Sequence, residues 1–176
     1  MAARRLEHAP SVRVWGVAVR LLHWTLASLV IVDLVMDDGG AAHRWVGYVA
    51  ATVVVARLAL AAAQGGLAGL RPSVALTRSY LGLLARGRPP RPPGHDPLGL
   101  WMVWLLWTLV LLLGITGWMT RLDAFWGDEQ LHAVHALLAD VLLGAIALHL
   151  LGVGVMSIMW RENLPAAMVT GNKRAD

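Results

Sequence analysis

Four histidines lie in long apolar segments of the sequence, where an ionisable side chain is costly and usually functional. They are His23, His43, His135 and His149. Two histidines that face each other can fill both axial positions of a haem iron. The chain has no cysteine, which excludes thiolate sites, iron–sulfur clusters and covalently attached c-type haem. The four histidines therefore predict axial ligation of two stacked haems.

The composition predicts an integral membrane protein. Of the 176 residues, 57% are hydrophobic and 15% are charged, which is too apolar for an ordinary soluble domain. About 20 apolar residues span the hydrocarbon core of a bilayer as a helix. Four segments qualify, at about residues 14–36, 45–63, 98–119 and 132–159. We predict an all-α fold, a single domain over residues 1–176 in which four transmembrane helices form a bundle that binds two haems.

The spacing on the fourth segment indicates that one helix can serve both sites. His135 and His149 are fourteen residues apart, which leaves their side chains about 40° apart around a helix and about 21 Å apart along it. By depth, His149 can share an iron with His23 near the inner surface, and His135 with His43 near the outer one. His132 lies on the same face, so angle alone leaves it open as the outer ligand. It lies one turn closer to water, and depth favours His135.

Lysines and arginines are distributed unequally between the two sides of the predicted bundle. Thirteen of the fifteen lie in or next to the termini and the loop 64–97, whereas Arg44 and Arg121 lie on the other side. Because positive residues mark the cytoplasmic side, both termini and the loop are expected in the cytoplasm. The net charge of +4 then reflects topology and contact with membrane lipid, and no nucleic-acid partner is expected. Residues 73–86 are expected to form an amphipathic helix on the membrane surface.

Six motifs along the chain resemble one known family. They are RLLHW at 20–24, HRWVGY at 43–48, GRPPRPPGHDPLG at 87–99, HALLAD at 135–140, ALHLLGV at 147–153 and RENLPAAMVTGNKR at 161–174. Together they resemble the bacterial cytochrome b561 family, which includes the cytochrome b subunits of nickel–iron hydrogenases. The resemblance covers nearly the whole chain, and the motifs occur in the family's order.

This resemblance implies a multi-pass cytochrome of the bacterial inner membrane with two non-covalent haem b groups. Carried over to this sequence, the ligands are His23 with His149 and His43 with His135. The family commonly has an acidic residue where this chain has Ala136 and an asparagine where it has Asp140. Neither departure removes a ligand. The short chain also favours a stand-alone or operon-partnered cytochrome over a hydrogenase subunit.

Histidine at both axial positions leaves no site for oxygen, so the expected function is electron transfer. The favoured interpretation is exchange of electrons between the membrane quinone pool and a periplasmic redox partner, with a c-type cytochrome as the expected one. The alternatives are a superoxide oxidase that passes electrons to quinone, the cytochrome b subunit of a hydrogenase or other respiratory complex, and a non-redox role. Five acids against two arginines on the outer side favour a cationic partner over superoxide.

Four charged residues near the histidines need an interpretation of their own. Arg20 lies three residues before His23, so it can pair with a propionate of the inner haem or extend its charged end to the membrane surface. Arg44 has the same two possibilities at the outer face. Asp33 and Asp140 are expected to be structural; Asp140 can alternatively orient a histidine through its ring N–H or pass protons.

Overall fold

The computed structural model describes residues 11–36, 39–66 and 68–175. Six α-helices and two short strands occur there: β1 Ser11–Arg13, α1 Val17–Val35, α2 Ala41–Ala63, α3 Val74–Ala85, α4 Pro97–Met119, α5 Glu129–Met159, α6 Leu164–Thr170 and β2 Asn172–Arg174. Short 3₁₀ turns occupy Ala68–Leu70 and Asp123–Phe125.

The helices α1, α2, α4 and α5 are each long and apolar enough to cross a membrane. The expectation of a mainly helical chain with four such helices is therefore confirmed. The helix starts follow local capping chemistry. Asp96 accepts from the N–H groups of Leu98 and Gly99, with Pro97 at the first helical position, and Asp128 caps α5 in the same way. The turn expected at Asp37 and Asp38 lies outside the described residues.

The four long helices pack in the order α1, α2, α4, α5, and each contacts its neighbour in that order. The α2–α4 contact is close, because a methyl group on Gly114 would lie 3.0 Å from the Cβ of Ala51. Val54 of α2 is fully buried in this layer. Across the described residues, α1 and α5 do not pack tightly along each other. The bundle is therefore open on the side where the histidine-bearing helices face.

The helix expected at residues 73–86 is α3, and Ser73 caps its first turn. Its anchor is Tyr80, which is 3% exposed, and burial together with nearby Asp96 raises the pKa of Tyr80 to about 12. Two tryptophans of α4 hold the same loop: Trp101 donates to the Thr77 hydroxyl (3.1 Å) and Trp104 to the Leu70 carbonyl (2.6 Å). These indoles thus attach the surface helix and its leading turn to the bundle.

Both ends of the described chain meet at one end of the bundle. Strands β1 and β2 pair antiparallel, with Ser11 opposite Arg174. Gly171 makes the turn possible, because its φ of 86° is left-handed and a Cβ there would lie 2.7 Å from the Trp15 carbonyl oxygen. Its own carbonyl accepts from the N–H groups of Val14 and Trp15. Neither the strand pair nor α6 was expected from the sequence.

A buried ion pair connects the loop before α4 to the C-terminal segment. Arg91 donates two hydrogen bonds to the Glu162 carboxylate (3.0 and 2.8 Å) and one to the carbonyl of Arg174. The Arg174 N–H donates to the same carboxylate. Burial opposes ionisation of Glu162, but the hydrogen bonds from Arg91 and Arg174 and the nearby charges outweigh it and lower the pKa of Glu162.

His95 lies in the same region, with its ring 4.7 Å from the ring of Trp15. Burial, reinforced by Arg57, Lys173 and His23 against the opposing charge of Asp96, lowers the pKa of His95 to about 4. The imidazole is therefore neutral at neutral pH. It packs against Trp15 at the end of the bundle where β1 and β2 pair, which we call the inner end.

We predict that Glu162→Gln destabilises the protein by about 2 kcal/mol, because it removes the charged acceptor of hydrogen bonds from Arg91 and from the Arg174 N–H. Since the folded pKa of Glu162 is lowered, its contribution is complete above the pKa of an unfolded glutamate and is lost as pH falls through the lower folded value. Thermal unfolding of the detergent-solubilised protein at pH 7 and below pH 4 measures both effects. Glu129→Gln, at an exposed glutamate of α5, is the control; an equal loss in both variants would contradict the prediction.

Candidate functional site

The outer ends of α2 and α5 bring two of the predicted ligands face to face. His43 lies in the first turn of α2 and His135 in the second turn of α5, and both side chains are partly buried. Their ring centres are 6.3 Å apart with the ring planes at 80°. The outer pair expected from helix depth is thus brought together by the fold.

The protonation of His135 follows from the hydrogen bonds of Thr116 on α4. The Thr116 hydroxyl is 2.9 Å from the Leu112 carbonyl and 2.7 Å from Nδ1 of His135. A hydroxyl has one proton, and a threonine inside a helix commonly donates it to the carbonyl one turn earlier, so we take the oxygen of Thr116 to accept from the ring. We therefore assign the proton of His135 to Nδ1. Its Nε2 then carries the lone pair that a metal requires.

His43 has an acidic neighbour in place of a hydroxyl. Its Nδ1 lies 3.1 Å from Oδ1 of Asp33, which is two residues before the end of the neighbouring helix α1. Both atoms are buried, and neither makes a hydrogen bond of good geometry, even to the other. Asp33, which was expected to be solvated or structural, therefore lies beside a predicted ligand. One sequence signal could have predicted this contact. Residue 33 lies near the end of the first apolar segment and residue 43 near the start of the second, so the two lie at similar depth.

The space around this pair is a cavity of about 360 Å³ between all four long helices. Much of its wall consists of small residues: Gly39, Gly47, Ala50, Gly114, Gly117, Ala136 and Ala139. A methyl group on Gly117 would lie 3.3 Å from Cε1 of His135. Asp140 also lines the cavity, but its side chain is exposed, and the carboxylate that contacts a histidine is that of Asp33.

His132, the competing outer ligand, has an exposed side chain. It lines a second cavity of about 380 Å³ next to the first, together with Arg44, Arg121 and Trp126. Arg121 lies over the Trp126 ring, 5.6 Å from its centre. His43 and His135 line both cavities. The second cavity is therefore a cationic entrance to the outer histidine pair.

The inner histidines lie on the two helices that flank the open side of the bundle. His23 on α1 and His149 on α5 are both partly buried, and they interact electrostatically. His95 from the inner loop is also within electrostatic range of His23. The pairing of His23 with His149 at one iron stays a prediction.

Arg20 has a protein partner in this structure. Its Nη1 donates to the carbonyl of Val169 in α6. Trp24, which lies on α1 like Arg20, donates to the carbonyl of Met168 in α6 (3.2 Å). The Nε of Arg20 is buried without a hydrogen-bond partner. One part of the guanidinium therefore holds the C-terminal helix against α1. Contact with a haem propionate through the remaining part stays a prediction.

Two residues next to the outer histidines, Thr116 and Asp33, were not expected in these positions. Thr116 is a single hydroxyl in an apolar helix, and such residues commonly bond to the carbonyl one turn earlier in their own helix. Its additional contact with His135 depends on the relative rotation of α4 and α5. That rotation is a tertiary feature which the residue pattern alone does not specify.

Comparison with known proteins gives one family. Residues 14–171 match the profile of the prokaryotic cytochrome b561 family, which covers most of the chain. Neither a curated protein nor a solved structure matches it. The match includes all four long helices, the inner loop and the four histidines. The chain therefore belongs to the prokaryotic cytochrome b561 family, and it is a membrane protein that transfers electrons by means of haem b.

Proposed function

We propose that the protein carries electrons across the bacterial inner membrane through two bis-histidine haem b groups, between the quinone pool and a periplasmic redox protein. The observation that carries the proposal is the outer histidine pair. Each Nδ1 faces a protein group, Asp33 or Thr116. This leaves Nε2 of both rings for a shared iron.

The dimensions of the outer site fit one bis-histidine iron. Two metal–imidazole bonds of about 2 Å, with about 1 Å from each nitrogen to its ring centre, require ring centres roughly 6 Å apart. The observed separation is 6.3 Å. The glycines and alanines in the wall leave room for a flat macrocycle, since side chains at Gly47 and Gly117 would enter the space beside Asp33 and His135.

The inner site is supported by helix geometry. His149 follows His135 by fourteen residues on the continuous helix α5, so the two share a face about 21 Å apart. His23 lies across the open side of the bundle from α5. Two haems would then lie at two depths, His23 with His149 below and His43 with His135 above. His95, neutral and packed on Trp15, would close the inner site from water.

When bound, haem b supplies one-electron chemistry at iron with both axial positions filled. The protein residues have the other tasks. Four histidines hold the two groups, Thr116 fixes the tautomer of His135, and the apolar helices exclude water. A quinol releases two electrons and two protons, so a chain that passes single electrons suits exchange between a two-electron and a one-electron carrier.

The orientation and the partner are inferred from charge. The β1–β2 pair joins both ends of the described chain on one side, and most arginines and lysines lie on that side, which the distribution of positive residues identifies as cytoplasmic. The opposite surface has Asp123, Asp128 and Glu129. This acidic surface suits a cationic c-type cytochrome.

A second candidate, superoxide oxidation, is favoured by the cationic entrance beside the outer histidines. Arg44, Arg121 and His132 line that cavity and would attract a small anion. Two superoxide anions would lose one electron each to give two molecules of oxygen, and one quinone would take up both electrons and two protons. The outer surface around the cavity remains acidic, so the two candidates differ in which charges control the rate.

We predict that His43→Ala and His135→Ala each remove the same haem, and that His23→Ala and His149→Ala each remove the other. Pyridine haemochrome assay of the purified protein should fall from two haems per chain to one, because an axial ligand is lost. His132→Ala is the matched control and should retain two haems. Loss of a haem in His132→Ala with retention in His135→Ala would contradict the outer ligand assignment.

We expect Thr116→Val to weaken binding of the outer haem by about 10–100-fold, the range found for loss of a partner that orients a metal ligand. The valine leaves the Nδ1–H of His135 without its acceptor. Haem retention during dilution or transfer to apomyoglobin measures the effect. Thr120→Val is the control, since Thr120 donates to the Gly117 carbonyl; equal haem loss in both variants would be inconsistent with the role of Thr116.

Vesicles containing the protein and quinone can separate the two candidate functions. We expect electron exchange with a cationic c-type cytochrome that weakens as salt is added and slows several-fold in Asp123→Asn/Glu129→Gln, because surface charge steers association. Arg44→Gln/Arg121→Gln should have little effect on that rate. Rapid reduction of quinone by superoxide that requires the two arginines would instead select superoxide oxidation.

A further inference from the structure

The two outer histidines differ in the group that faces Nδ1. His135 donates to the neutral hydroxyl of Thr116 at 2.7 Å, whereas His43 faces the carboxylate of Asp33 at 3.1 Å. The Thr116 hydroxyl also donates to the Leu112 carbonyl, and this bond fixes the position of the hydroxyl within α4. One ligand of the proposed outer iron thus has a neutral partner, and the other has a group that can carry a full charge.

Several features hold Asp33 against His43. Asp33 Oδ1 and His43 Nδ1 are both buried and 3.1 Å apart, and neither makes a hydrogen bond of good geometry, so their contact is one of charge and proximity. The side chains of Asp33 and His43 are 22% and 26% exposed. Gly47, one turn after His43 on the same face of α2, leaves room for the carboxylate, because a Cβ there would lie 3.3 Å from Asp33 Oδ2. A larger residue at 47 would displace the acid.

We propose that Asp33 is a positioning residue that acts through His43 to lower the reduction potential of the outer haem. The inference rests on the proposed bis-histidine site. A carboxylate that accepts the Nδ1–H makes an imidazole a stronger donor to its metal. A stronger donor and a nearby negative charge both stabilise the ferric state, which carries one more positive charge than the ferrous state. The neutral Thr116 hydroxyl strengthens its imidazole only weakly as a donor, and it brings no negative charge.

The arrangement gives the outer site a fixed electronic asymmetry. In a low-dielectric membrane interior, the field of one charge close to the ligand exceeds that of several solvated acids on the outer surface. Asp140 lines the same cavity but is exposed, and among the described residues it makes no hydrogen bond or ion pair with either histidine. Asp33 is therefore distinguished from Asp140 by its contact with His43.

The test is a redox titration of the purified dihaem protein at one pH, with the outer couple identified as the one missing in His135→Ala. Asp33→Asn retains the shape and a hydrogen-bond acceptor but removes the charge. We expect at least a tenfold increase in the ratio of reduced to oxidised outer haem at a fixed ambient potential, about 59 mV for a one-electron couple. Asp140→Asn, the matched control, should change that ratio by less than about threefold.

An unchanged outer couple in Asp33→Asn with both haems bound would overturn the inference, and so would an equal shift in Asp140→Asn. If Asp33→Asn loses the outer haem, Asp33→Glu decides: recovery of the haem at the wild-type potential supports the proposal, and failure to recover either overturns it. The proposed function fails on separate grounds, namely a wild-type protein with fewer than two haems or a His135→Ala variant that retains both.

Discussion

The arrangement of the bundle depends on keeping α1 and α5 apart. His135 of α5 faces His43 of α2 with the ring centres 6.3 Å apart, and a flat cofactor bound beside α5 would require a gap that packing would otherwise close. The contacts elsewhere preserve this gap. Helices α2 and α4 approach closely at Ala51 and Gly114. At the inner end, Arg20 and Trp24 hold α6 against α1, and α6 follows directly from α5. Helices α1 and α5 are therefore connected through an end contact and separated along their length.

Burial of an imidazole in a membrane has an energetic cost. The fold offsets part of this cost by placing a polar group beside Nδ1 of each outer histidine. At His135, Thr116 accepts the ring proton while donating its own to Leu112, so every polar atom of the arrangement except Nε2 is satisfied. At His43, the carboxylate of Asp33 has the corresponding position. His135 is then left with Nε2 unsatisfied, and at His43 neither Nδ1 nor the facing Asp33 oxygen makes a hydrogen bond. Such a residual cost is what metal coordination would remove, so stability and cofactor binding are coupled at this site.

Much of the framework could be predicted from the sequence. Apolar runs of sufficient length and the caps at Asp96 and Asp128 specify four long helices, and a period of fourteen residues on α5 specifies two depths. Local patterns could not predict the strand pair of β1 and β2, because three-residue strands have no periodicity and their pairing joins opposite ends of the chain. The partners of the histidines were missed for a similar reason. Asp33 contacts His43 from another helix, and a prediction from single-helix spacing considered Asp140, which lies on the same helix as His135.

The two ends of the bundle use their basic residues differently, and the difference follows from their partners. At the inner end, Arg91 is bound to Glu162 and to a backbone carbonyl, and Lys173 donates to the Gly94 carbonyl (3.3 Å) and lies near the Trp160 ring. These cations stabilise the loop and the C-terminal segment. At the outer end, Arg44 and Arg121 line a cavity that reaches both histidines. A basic side chain that is bound to another protein group cannot move towards a ligand without loss of stability. A basic side chain that lines an open cavity can. The basic residues of the inner end therefore hold the loop and the C-terminal segment together, whereas Arg44 and Arg121 line a cavity.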